Sequence, residues 1–285
     1  MISRLTLVGV GLMGASAGLA AKARGLAGEV VGFSRRRQTL EEAKRVGAID
    51  SFETDLVAAV RGADFVLVSV PVDVVAARVL EIAACELAPG AVITDVGSVK
   101  GNIVAEVARD AKAAALFVGG HPIAGTEKSG PAAAKADLYE GRHCILTPGA
   151  DAKKTAAVRA FWEALGMKVE EMDAARHDEV LAMISHLPHV VAYALVGAVA
   201  RYDRGEHPAL KFTAGGFKDF TRIAASAPEL WRAIVEANAK SSLDSIARFK
   251  AELTAIEDAI AAGDFDKLED LFTQAATVRR SLEDA

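Results

Sequence analysis

Cysteine is scarce: Cys85 and Cys144 are the only two in 285 residues. Two isolated thiols form neither a disulfide framework nor a CxxC metal or redox motif, which fits a reducing compartment, and a cytoplasmic location is expected. Basic charge is also in deficit. Lys plus Arg total 33 against 38 Asp plus Glu, a formal net charge of −5, so no overall basic field exists to hold nucleic acid or an anionic membrane. Neither is an expected partner. Aromatic residues make up only 6%, yet the hydrophobic share reaches 52%, which excludes a mainly disordered chain and supplies a sizeable core. At a length near the limit where one core stops growing, two domains are expected.

Long uncharged runs are few. Leu5 to Ala21 follows Arg4 like a signal peptide, but Gly9, Gly11, Gly14 and Gly18 dilute its apolar content, so no signal is expected. Val180 to Ala200 is long enough to cross a bilayer, yet it carries Ser185, His186, Pro188 and His189. A helix buried on all sides is expected, with a partner subunit completing the burial.

What is present is an alternation. β-branched runs at Leu5–Val8, Val30–Phe33, Phe65–Val70, Val92–Asp95, Leu116–Gly119, His143–Thr147 and Lys168–Glu171 read as strands. Between them Leu12–Arg24, Leu40–Val46, Val72–Ala84, Gly101–Ala108 and Ala152–Leu165 read as helices, so residues 1–172 are expected to form a doubly wound sheet of parallel strands. After Met172 the rhythm changes to three- and four-residue spacing through Asp178–Arg201, Leu230–Ala262 and Phe265–Leu282. Residues 173–285 are expected to be all-helical.

The opening strand runs straight into Gly9-Val10-Gly11-Leu12-Met13-Gly14, a GxGxxG turn before a helix. Gly9 makes the tight turn, Gly11 admits a pyrophosphate to the backbone, Gly14 allows close helix packing, and the helix N-terminus faces the phosphates. In NAD-binding versions an acid at the end of the second strand holds the ribose hydroxyls. This chain has Ser34-Arg35-Arg36-Arg37 there instead, while the nearest acid, Glu29, lies at the other end. Ser34, Arg35 and Arg36 can grip a 2′-phosphate through charge-assisted bonds, with Arg35 the first choice, so NADP is favoured and NAD is the second option. Val70-Pro71 and Ser98 fall at carboxyl ends of later strands, where ligands of open α/β folds bind. Ser98 reads equally as a helix cap or as a group beside the nicotinamide. His121, in the stretch from Gly119 to Glu127, sits after a strand in a Gly-flanked, Pro-stiffened loop that suits a positioned proton acceptor, although a lone histidine is often a satisfied core residue.

The stretch Gly119-Gly-His-Pro-Ile-Ala-Gly-Thr-Glu-Lys-Ser-Gly130, with Asp95-Val-Gly-Ser-Val-Lys100 before it and Ser185-His-Leu-Pro-His189 after it, closely resembles the prephenate and arogenate dehydrogenases of tyrosine biosynthesis. Gly215-Gly-Phe-Lys-Asp-Phe-Thr-Arg222, followed by Trp231, resembles them too. The resemblance spans Gly9 to about Trp231 and implies a Rossmann domain followed by a helical domain that builds a homodimer. It implies that His121 takes the proton of the substrate's ring hydroxyl as hydride leaves the same carbon, with Ser98 orienting His121 or the nicotinamide. It also implies that Arg222 binds a carboxylate of the cyclohexadienyl substrate and that His189 contacts that substrate, with His177, Thr126 and Glu127 as further candidates and Trp231 as a packing wall. His186 reads as a satisfied buried histidine, and the His186/His189 pair is not expected to hold a metal. A β-hydroxyacid dehydrogenase or imine reductase of similar build, or a NADPH-sensing module without chemistry, is the alternative; His121, Ser98 and Arg222 together argue against the latter.

Overall fold

The computed structural model describes residues 1–125, 128–203 and 209–282. The strands are β1 (Ile2–Val8), β2 (Ala27–Phe33), β3 (Ser51–Glu53), β4 (Phe65–Val68), β5 (Val92–Asp95), β6 (Phe117–Pro122), β7 (His143–Thr147) and β8 (Lys168–Glu171). The first helices are α1 (Leu12–Ala23), α2 (Arg37–Arg45), α3 (Leu56–Val60), α4 (Val75–Ala84), α5 (Gly101–Val107), α6 (Ala111–Leu116) and α7 (Ala152–Ala164). Then come α8 (Ala174–Leu181), α9 (Leu187–Tyr202), α10 (Gly215–Thr221), α11 (Pro228–Ala237), α12 (Ala239–Ala262) and α13 (Phe265–Ser281).

One eight-stranded sheet has the order β3-β2-β1-β4-β5-β6-β7-β8. Its first six strands follow the order of dinucleotide-binding sheets, with the topological switch point between β1 and β4. Alternation within each strand feeds two cores. Leu5, Leu7, Phe65 and Leu67 face a layer that includes Ala17 of α1, Leu40 of α2 and Trp162 of α7. Val8, Val66 and Val68 face the opposite layer, with Ala59 of α3, Val79 of α4, Ile103 of α5 and Ala113 of α6. That is the period of two expected when strands are covered on both sides.

The alternation led to the expectation of a wholly parallel sheet, and the structure departs from it: β7 runs antiparallel to β6. The reason lies in the connection. A parallel neighbour needs a helical crossover, whereas the described part of the segment between β6 and β7 carries only a short 3₁₀ turn at Pro131–Ala133. β3, α3, α6 and α10 had no counterpart among the expected elements; each has seven residues or fewer, too short for a periodic signal.

The chain groups into two compact units, Met1–Ala239 and Lys240–Ala285. The first extends well past residue 172 for a physical reason. Ala233 and Ile234 of α11 sit in the second core, the Ala237 carbonyl accepts from Asn102 Nδ2 at 2.6 Å, and Asn238 Nδ2 donates to the Asp178 carbonyl at 2.8 Å. In the second unit α13 buries none of its residues, and Phe265, Phe272 and Val278 are exposed along it.

The apolar stretch from Ala174 to Tyr202 is continuous helix, and by length and composition it could span a membrane. Within the chain it is not buried on all sides: only 28% of its most apolar window is covered. Leu187 and Ala192 are the buried residues of α9, while Ile184, Leu195 and Tyr202 are exposed. Between α8 and α9 lies a π turn, Ala182–His186, closed by a bond from the Leu187 N–H to the Ala182 carbonyl. Pro188 explains it, because proline lacks an N–H and its ring crowds the carbonyl four residues back.

Candidate active site

Gly9 ends β1 with φ of +97°, and a Cβ there would lie 2.1 Å from the Ser69 carbonyl oxygen. A Cβ on Gly14 would lie 2.1 Å from the Gly9 carbonyl oxygen. Both positions demand glycine for packing, whereas a Cβ on Gly11 would meet nothing within 4 Å. Gly11 caps α1 without any side-chain bond to the first-turn N–H groups, so that end of the helix presents donors to open space, as a pyrophosphate requires. Leu12 and Met13 open the helix, and the Met13 carbonyl is fixed by the Tyr139 hydroxyl at 2.7 Å. Val70 and Pro71 follow β4 across the switch point, with Val70 Cγ1 3.2 Å from where a Gly9 Cβ would be. The residues present fit a dinucleotide.

At the end of β2, Ser34 is half-buried and its Oγ accepts from the Arg36 N–H at 3.2 Å. Arg35 and Arg36 are exposed and form no ion pair among the described residues, while Arg37 is engaged with Glu41 at 2.9 Å. Glu29 lies inside β2 and is occupied by Arg4 at 2.7 Å and Ser51 at 2.9 Å. The residues that follow β2, Ser34 to Leu40, include no acid.

His121 is on a strand, not in a loop as expected: it is the fifth residue of β6, paired with Ile145 of β7, and 8% exposed. That makes the ring rigidly held. Its Nδ1 lies 2.8 Å from Nε2 of His177, whose own Nδ1 lies 2.8 Å from Oδ1 of Asp178. Burial, then the proximity of His177, Lys100 and His186, pushes the His121 pKa well below the usual histidine value, so the ring is neutral near pH 7 and carries one lone pair able to take a proton. His177 is fully buried and both its ring nitrogens are engaged, so it backs His121 and presents no free nitrogen to a pocket.

Two charged groups that had not been singled out lie behind this pair. Asp95 and Lys100 are fully buried and joined by a short ion pair. Asp95 also accepts from the N–H groups of Gly97 at 2.8 Å and Gly120 at 3.0 Å, tying the end of β5 to β6 next to His121. Asp178 accepts from the N–H groups of Lys100 and Gly101, both at 2.8 Å. Those are the first donors of α5, so the cap is Asp178 and not Ser98. The Ser98 backbone instead lies against the ring of His186.

His186 and His189 do share a face, and both meet Trp231: His186 edge-on at 6.1 Å and His189 stacked at 3.5 Å between centroids. Burial pulls the His186 pKa down to about 4. His189 donates from Nδ1 to the Ser185 carbonyl at 2.9 Å, leaving Nε2 as an acceptor, and its pKa is lowered by burial and by the charge of Arg222 nearby. Arg222 follows α10 and is exposed within the chain. A cavity of about 280 Å³ is lined by His189, Val190, Tyr193, Pro228, Trp231, Arg232 and Val235; His121 is not among its walls. Electrostatic proximity nevertheless links the set in sequence: His121 to His186, His186 to His189, and His189 to Arg222. Thr126 and Glu127 lie outside the described residues. Cys144 is no nucleophile, since burial pushes its thiol up to about 12.

A Rossmann-type sheet with a glycine-cradled dinucleotide turn, a buried neutral histidine beside its carboxyl edge and a helical second half defines the class: a nucleotide-dependent dehydrogenase. Residues 17–171 match the model for the prephenate dehydrogenase nucleotide-binding domain, and residues 173–274 match that for the prephenate dehydrogenase dimerization domain. The cyclohexadienyl dehydrogenase of Zymomonas mobilis is 36% identical over 99% of this chain and 97% of its own. The crystal structure of prephenate dehydrogenase from Aquifex aeolicus with hydroxyphenyl propionate and NAD+ superposes with a TM-score of 0.93 at 35% identity, over 99% of each chain. Arogenate dehydrogenase of Synechocystis superposes at 0.81 with 30% identity, over 98% of this chain and 99% of that one. The chain belongs to the prephenate dehydrogenase family, whose members act in tyrosine biosynthesis.

Proposed function

We propose that the chain oxidatively decarboxylates prephenate, arogenate or both, yielding 4-hydroxyphenylpyruvate or tyrosine, with NADP as the preferred hydride acceptor. The observation that carries this is His121: a neutral imidazole locked onto β6 beside the carboxyl edge of a dinucleotide-binding sheet. Gly9, Gly11, Leu12, Met13 and Gly14 hold the pyrophosphate, Ser34, Arg35 and Arg36 hold the 2′-phosphate, and Val70 and Pro71 border the nicotinamide side. The bound nicotinamide supplies a sink for the hydride that leaves the ring carbon bearing the hydroxyl.

His121 takes the hydroxyl proton as that carbon–hydrogen bond breaks. The carbon–carbon bond to the ring carboxylate then yields its electrons to the ring, carbon dioxide departs, and the proton returns from His121 to the phenolic oxygen. Such proton transfer contributes typically ~10²- to 10⁴-fold in rate. Ser98 orients the reacting groups, Arg222 pairs with a substrate carboxylate, and His189 stacked on Trp231 forms a wall of the substrate site; Thr126 and Glu127 are further candidates for contact with substrate. Hydroxyphenyl propionate in the Aquifex structure, a hydroxyphenyl acid like the products, supports this reading, and its NAD+ supports NAD as a second acceptor.

The test is a four-way assay, each substrate with each cofactor, following cofactor reduction and carbon dioxide release in wild type and in Arg35→Ala. NADP turnover is expected to fall more than NAD turnover in the variant; equal losses would reduce the basic turn to solvated surface. For Arg222→Ala, a loss of roughly ten- to a hundredfold in kcat/KM for substrate is expected, the worth of a charge-assisted bond, with cofactor KM unchanged. A change confined to the cofactor would contradict the assignment.

We further propose residues 1–172 as the NADP domain and 173–285 as a helical substrate and dimerisation domain of a cytoplasmic homodimer. The exposed apolar residues of α9 and α13 support the second role.

A further inference from the structure

We propose that His177 and Asp178 are positioning residues that set His121 in the tautomer with its proton on Nδ1 and its lone pair on Nε2, and that Asp178 couples this setting to the loop bearing Ser98. The inference deepens the reading of His121 as proton acceptor and rests on it. Asp178 Oδ1 stands 2.8 Å from His177 Nδ1, so that nitrogen donates to the carboxylate. Where Nδ1 holds the one proton of the His177 ring, Nε2 is an acceptor, and the 2.8 Å contact to His121 Nδ1 needs its proton on His121. The opposite arrangement would set an imidazole lone pair against a carboxylate oxygen.

The lone pair of His121 is thereby left on Nε2, the nitrogen turned away from His177. When that atom takes a proton, the new positive charge is met by Asp178 through the intervening ring, while Lys100 and His186 are the other charged or titratable neighbours that bear on His121. Asp178 has a second task. Its two oxygens cap Lys100 and Gly101 at the start of α5, so the carboxylate that sets the tautomer also anchors the chain just after Ser98. One side chain on α8 thus ties β6, the β5–α5 loop and the proton acceptor together.

The experiment is ring-nitrogen NMR of the full chain, labelled with ¹⁵N-histidine and saturated with NADP+, with the His121 signals identified by their loss in His121→Asn. Wild type is expected to show the proton of His121 on Nδ1. In Asp178→Asn the carboxamide donates to His177 Nδ1, the chain of bonds reverses, the His121 proton moves to Nε2, and kcat falls by about two to four decades with substrate KM nearly unchanged; the wrong tautomer is similarly costly in other carboxylate–imidazole systems. Should that variant misfold for want of its cap, His177 offers an independent route. His177→Gln, whose side-chain carbonyl still accepts the Nδ1 proton, is expected to retain at least about tenfold more activity than His177→Leu. A wild-type His121 protonated on Nε2, or equal activity in the Gln and Leu variants, would overturn the relay. If His121→Asn itself turned over like wild type, the proton-acceptor reading would fall instead, and the wild-type tautomer would still judge the relay.

Discussion

His121→Asn is expected to lower kcat by about two to four decades while leaving NADP affinity within about twofold of wild type. Asparagine keeps approximate size and polarity on β6 but has no lone pair basic enough to take a hydroxyl proton. The residues proposed to hold the cofactor lie on other strands, at the ends of β1, β2 and β4, so binding and chemistry are expected to separate in this variant. Steady-state kinetics with cofactor titration by fluorescence checks both halves. Wild-type turnover would remove His121 from the chemistry, and a matching loss of cofactor affinity would make it a structural residue.

The second large effect is on stability. Lys100→Met is expected to destabilise the chain by about 3–5 kcal/mol, the usual cost of leaving one member of a buried ion pair without its partner. Asp95 and Lys100 are both 0% exposed, and the residual bonds to Asp95 from Gly97 and Gly120 do not neutralise its charge. Denaturant midpoints of wild type and variant give the measurement. Asp95→Asn in the Lys100→Met background should recover part of the loss by removing the stranded charge, whereas a variant as stable as wild type would show that water reaches Asp95. Removing Lys100 also removes a cation that helps hold the His121 pKa down, so a folded variant should show that pKa raised.

Much of the fold was legible because buried strands read as short apolar, β-branched runs: Val92–Asp95 and His143–Thr147 have the bounds read from the chain, and so does the largely exposed Lys168–Glu171. The glycine turn was legible because its spacing is dictated by backbone collisions at Gly9 and Gly14. The reversal of β7 was not, since strand direction depends on the connection and the pattern of a buried strand is the same either way. His121 was found from its Pro and Gly neighbours, but they suggested a loop; in the structure Gly119 and Gly120 serve close packing, against Thr147 Oγ1 and the Asp95 carbonyl.

The buried network behind His121 was the least legible part. Asp95 and Lys100 are five residues apart around a turn, and nothing local tells a solvated pair from one sealed between β5 and β6. Asp178 lies 78 residues from the amide it caps, a pairing that no spacing rule reaches. One signal was available: His177 and Asp178 stand just before the apolar run that starts at Val180, where a charge needs a reason to be buried.

The pH dependence of kcat/KM in wild type and in the weakly active His121→Asn tests the proton-acceptor role most directly. A base with a depressed pKa is ready above that value and lost below it, so the wild-type profile is expected to stay level from about pH 8 to 6.5 and to fall only at lower pH. The variant is expected to run decades lower, without that acid limb. A variant profile superimposable on the wild type, in level and in acid limb, would contradict it.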